Sequence, residues 1–88
     1  MFNVNINVEN NLNQPIKIKS TQDLGQVVRV CRVAQNMTQA DILGLANTGN
    51  RFIVELENGK PTVQFQKVLD VLAALGLEMP LQNKGSFE

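Results

Sequence analysis

Histidine, tryptophan and tyrosine are missing from this chain, and cysteine occurs once, at Cys31. Without His there is no imidazole for acid–base catalysis or metal binding. A single Cys makes neither an internal disulfide nor a thiolate cluster, which fits a reducing compartment. Charge of either sign is not in surplus: eight basic residues balance eight acidic ones, and the pI is about 6.2. A neutral chain therefore lacks the excess Lys and Arg with which a protein grips nucleic acid by charge alone. No apolar run approaches the roughly 20 residues of a membrane span, and Asn3, Asn5 and Asn7 interrupt the apolar residues after Met1, unlike a signal peptide. A soluble, cytoplasmic protein without membrane association is expected. No nucleophile–base pair, phosphate-cradling glycine loop or metal-ligand spacing is present. The sequence thus predicts no enzyme, no cofactor, no metal and no small-molecule ligand.

What is there is a single domain of 88 residues, 43% of them hydrophobic and nearly all of those aliphatic. Phe2, Val4, Ile6 and Val8 alternate with asparagines, a period-two pattern that predicts a half-buried strand. Asn-rich residues 9–15 read as a turn, and Ile16–Lys19 alternates again. Residues 1–19 are therefore either a hairpin or an arm that pairs only in a dimer. Ser20 or Thr21 caps a first helix near 22–35, with Asp23 suited to the positive end of its dipole. Leu24, Val27, Val28, Cys31 and Ala34 form its inner stripe, which makes Cys31 a small buried hydrophobe. Val30 and Val33 lie off that stripe, either covered by the N-terminal arm or marking a partner surface.

Thr38 and Asp41 make a capping box for a second helix, whose inner face is Ala40, Ile42, Leu43 and Ala46. Asn47-Thr48-Gly49 is a turn into a third helix from Asn50 to Glu57, with Phe52, Ile53 and Leu56 inward. Gly59 suits a left-handed cap, Pro61 blocks continuation, and Thr62 caps a fourth helix near 63–75 that buries Phe65, Val68, Leu69, Leu72 and Leu75. Leu77–Leu81 alternates as a short edge strand, and a flexible polar tail follows to Glu88. Two short helices joined by a tight turn, with polar residues where the second begins, is the layout of a DNA-reading helix-turn-helix.

Residues 24–76 resemble the Cro-type (lambda-repressor-like) helix-turn-helix family. The resemblance lies in Val28-Arg29…Cys31-Arg32, Thr38-Gln39-Ala40-Asp41, Leu45-Ala46 and Ile53…Leu56-Glu57-Asn58-Gly59-Lys60-Pro61-Thr62. It implies a mainly α fold: a four-helix domain over residues 20–76 with short β-strands at its N- and C-terminal ends, the second in 77–88. The continuation Val68-Leu69…Leu72…Leu75-Gly76-Leu77 looks like the HipB-type branch, antitoxins that bind operator DNA as dimers and hold a kinase-like HipA-type toxin inactive.

Carried over, the resemblance puts Gln39 at a phosphate or flanking base. Thr48, Gly49, Asn50 and Arg51 fall at the start of the recognition helix, with Val54 and Glu55 one turn further on and Lys60 as a phosphate anchor. The chemistry suits this: Asn bonds adenine bidentately, Arg bonds guanine O6 and N7, and a threonine methyl meets thymine. Glu55 either faces cytosine N4 or repels phosphate. Gly49 departs from the family, where Ser or Thr caps helix three, and Asn36 replaces a commoner glycine. Arg32 and Glu57 stand where the family has an ion pair joining helix one to helix three. The implied function is a homodimeric, sequence-specific repressor of double-stranded operator DNA, the antitoxin of a toxin-antitoxin pair. Val30, Val33 and Phe87 are its candidate partner surface, Phe87 being alternatively the end of a loose tail. The rivals are a stand-alone or phage-type repressor and a protein-interaction module that has lost DNA binding.

Overall fold

The computed structural model describes residues 16–80. It holds four helices: α1 (Thr21–Ala34), α2 (Gln39–Ala46), α3 (Asn50–Glu57) and α4 (Phe65–Ala74). The N-terminal strand, its turn, Leu81 and the tail with Phe87 lie outside the described residues.

Each helix starts and stops for a local reason. Ser20 caps α1, its Oγ accepting the Asp23 N–H at 3.1 Å. The expected box caps α2: Thr38 Oγ1 accepts from Asp41 N at 3.1 Å, and Asp41 Oδ2 accepts from Thr38 N at 2.8 Å. Three helices end in the same way, with one residue at positive φ and two backbone bonds folding the chain back on the last turn. Asn36 (φ 60°), Gly59 (φ 79°) and Gly76 (φ 76°) occupy that position in α1, α3 and α4. The paired bonds are Asn36 N to Val33 O with Met37 N to Arg32 O, Gly59 N to Leu56 O with Lys60 N to Glu55 O, and Gly76 N to Ala73 O with Leu77 N to Leu72 O.

One core joins all four helices. Val27, Val28 and Cys31 from α1, Ile42 and Ala46 from α2, Ile53 and Leu56 from α3, and Val68, Val71 and Leu72 from α4 are buried, together with Leu75. Helix α3 packs on both α1 and α2, while α4 closes the far side against α2.

Several expectations need correction. Among the described residues there is no strand. Residues 16–19 form no strand and lead directly into α1, Ile16 resting on the core and the Lys19 N–H donating to Asp23 Oδ2 at 3.0 Å. Leu77 cannot open an edge strand because its N–H closes the cap of α4, 2.8 Å from Leu72 O, and its side chain packs on the core. Helix α4 begins at Phe65 after Gln64, not after Thr62, with no side-chain cap. Val63 packs against the core from the extended segment, so the helix forms only once the chain has passed it. Phe65 is then left 60% exposed instead of buried. Ala34 and Ala40 are likewise exposed, and Val30 is half-buried, whereas Val33 is 54% exposed.

Candidate nucleic-acid interface

Helix α3 is fastened at its C-terminal end and open at its N-terminal end. Gly25 of α1 meets the last turn of α3 so closely that a Cβ there would lie 2.2 Å from Leu56 O and 2.9 Å from Glu57 O. Thr21 Oγ1 donates to Gly59 O at 2.9 Å. A Cβ on Gly59 would meet the Gln22 Cα at 2.9 Å, so both the positive φ and the space there require glycine. The guanidinium of Arg32 adds a fork: Nε–H donates to Glu57 Oε2 at 2.7 Å and Nη2–H to Glu57 Oε1 at 3.0 Å, with Nη1–H on Met37 O at 2.7 Å. The hydrogen bond with Glu57 pushes the Arg32 pKa further above its ordinary value.

The other end of α3 is built for presentation. Asn47 turns the chain at φ 53° and Gly49 occupies the N-cap with no side-chain bond. The first backbone contact inside the helix is Phe52 N to Gly49 O, so the N–H groups of Asn50 and Arg51 lack intrahelical partners. Unsatisfied N–H groups and the positive dipole end favour an anion such as phosphate. Gly49, Asn50 and Arg51 are all exposed on this turn, and Val54 is half-buried one turn later.

Arg51 and Lys60 converge on one carboxylate. Arg51 Nε–H donates to Glu55 Oε2 at 3.0 Å and Lys60 Nζ to Glu55 Oε1 at 3.2 Å. Those hydrogen bonds, Arg51's the stronger, hold the Glu55 carboxyl below the usual carboxylate range. Lys60 reaches back because the cap of α3 returns the chain onto Glu55.

Two residues assigned to DNA are partly turned inward. Gln39 Nε2–H donates to Glu57 Oε1 at 3.1 Å, joining the ion pair between α1 and α3. Thr48 is half-buried, its hydroxyl turned inward without a hydrogen-bond partner among the described residues. Lys67, on α4, stands with Nζ 5.8 Å from the centre of the Phe52 ring, within cation–π range. The sequence reading missed Gly25 and Thr21 as the seat of α3. It also missed the bridging by Glu55, which the i,i+4 spacing of Arg51 and Glu55 signals in part.

Among the described residues there is no cluster that could hold a metal ion, and no helix is long and apolar enough to cross a membrane. No protein-family model matches the sequence. An HTH-type transcriptional regulator of Sinorhizobium fredii (strain NBRC 101917 / NGR234), y4mF, itself uncharacterised, is 46% identical over 69 residues. These make up 78% of this chain and 91% of the relative.

Proposed function

The chain belongs to the HTH-type transcriptional regulators, and from that premise we propose that it is a homodimeric repressor that reads operator DNA with the N-terminal turn of α3. The observation that carries this reading is Arg51, 88% exposed in the first turn of that helix. A cation there opposes the helix dipole, and at such exposure it gains nothing from packing. Its position is accounted for if it meets a base edge. Asn50 and Arg51 would be the base readers, suited to adenine and guanine respectively. Gly49 allows close approach of the backbone, and the free N–H groups beside it would take a phosphate. Lys60 is the nearest second cation for the backbone. Two copies would set their recognition helices in successive major grooves, with half-sites about 34–36 Å apart.

The finer reading is an antitoxin whose partner is a HipA-type toxin kinase. It rests on the resemblance of residues 68–77 to the HipB-type branch and on zero net charge, which makes a second protein a useful source of added DNA contacts. Val33, more than half exposed on α1, and the half-buried Val30 are the described part of the proposed partner surface.

Binding of the purified chain to a labelled duplex from upstream of its own gene tests the repressor reading, with Arg51→Ala alongside. Palindrome-dependent binding near about nanomolar affinity, lost in the variant, is the expected result. Absence of binding by the wild type refutes it and favours an interaction module. Tighter operator binding in the presence of the toxin is expected for the antitoxin, and equal affinity refutes that part.

A further inference from the structure

We propose that Glu55 is a selectivity residue, which suppresses undirected attraction to the phosphate backbone while leaving Arg51 free to engage a neutral base edge. The proposal rests on the DNA-binding reading above and names the group that sets its specificity.

Both oxygens of Glu55 are occupied, Oε2 by Arg51 Nε–H and Oε1 by Lys60 Nζ. Two cations and one anion within a single cluster leave one net positive charge. The rest of the chain adds no positive charge, since the whole is formally neutral and the remainder therefore carries one net negative charge. Arg51 is 88% and Lys60 43% exposed, so both pairs stand in water and open readily.

The carboxylate treats the two classes of DNA acceptor differently. A phosphate that approaches Arg51 or Lys60 also approaches Glu55, 29% exposed, and meets a like charge. Guanine O6 and N7 are uncharged and meet no such repulsion. With Nε on Glu55, Arg51 still has its Nη1 and Nη2 donors to offer, and two parallel N–H groups are what O6 and N7 accept. Arg51 is therefore steered towards a base edge and discouraged from wandering along the backbone.

The test begins by selecting a preferred site for the wild type from a duplex library with a randomised core. Dissociation constants are then measured for that site and for a scrambled duplex, each over a range of salt, with wild type and Glu55→Gln. Glu55→Gln keeps the side-chain size and lies on the surface, so an unchanged melting temperature checks the fold. The variant should bind the scrambled duplex about tenfold more tightly, with a salt slope steeper by about 0.9–1.8, the equivalent of one or two further phosphate contacts. Affinity for the selected site should change less, so the preference for it falls. Unchanged scrambled-duplex affinity and slope overturn the proposal. A larger loss on the selected site than on the scrambled duplex also overturns it, and makes Glu55 a reader of cytosine N4. If the wild type enriches no sequence, the DNA-binding reading itself falls and the proposal with it.

Discussion

Arg32 and Glu57 form a forked ion pair between α1 and α3, with Nε 2.7 Å from Oε2 and Nη2 3.0 Å from Oε1. The side chains are only 12% and 5% exposed, and Gln39 and the Met37 carbonyl take up further bonding capacity. The pair thus clamps the closed end of the helix whose open end carries Asn50 and Arg51.

Breaking that clamp should damage the fold before it alters DNA choice. Glu57→Ala leaves a guanidinium in a site that is nearly dry, a change that costs about 3–5 kcal/mol. In a domain of this size the melting temperature should fall by more than about 10 °C. A thermal melt checks this, and an unchanged midpoint would show that the pair carries no stability.

Two glycine substitutions should move stability in opposite directions although both lie inside helices. Gly44→Ala places its methyl in open space, with nothing within 4 Å, and should stabilise the protein by about 0.5–1 kcal/mol. Gly25→Ala drives a methyl into the Leu56 carbonyl and should destabilise by about 1–3 kcal/mol or more as α1 is pushed off α3. Chemical denaturation of both variants separates tertiary fit from helix propensity, which predicts a gain for each.

Gly49→Ser should restore the cap that α3 lacks. The backbone at Gly49, with φ −89° and ψ 159°, already has capping geometry, and a Cβ there meets nothing within 4 Å. The serine oxygen can accept the N–H of Arg51 or Phe52, for a gain of a few tenths of a kcal/mol, or about 1–3 °C in a melt. A lower melting temperature would contradict the cap.

Cys31 should resist thiol reagents in the native protein. It is buried, and desolvation pushes its thiol pKa above the ordinary 9.0. The folded state therefore holds the thiol proton more tightly than the unfolded chain does. That contribution to stability is complete below the ordinary thiol pKa and is lost as pH rises towards the folded-state value. Mass spectrometry should find alkylation only after denaturant is added; rapid labelling of the native protein would place Cys31 at the surface.

Helix positions were largely legible in the chain because their signals are local. Ser20 and the Thr38–Asp41 box bond within three residues of themselves, and Asn36 and Gly59 adopt the positive φ that few other residues accept. Helical periodicity places Ile53 and Leu56 inward, leaving Asn50 and Arg51 on the open turn. The start of α4 was less legible: Thr62 has the right chemistry for a cap, but packing of Val63 against the core delays the helix to Phe65.

The sequence by itself determined where α1–α3 begin and end, since capping bonds and apolar spacing depend on neighbours a few residues away. Only the tertiary structure decided how α3 is held and what its charges do. Gly25 reads along the chain as a weak helix residue, yet it is the point of closest approach between α1 and α3. Gln39 reads as a DNA contact, but its amide is drawn to Glu57, 18 residues away. Lys60 meets Glu55 because the cap of α3 reverses the chain. Contacts of this kind depend on the distance between elements, which the packing of the core sets.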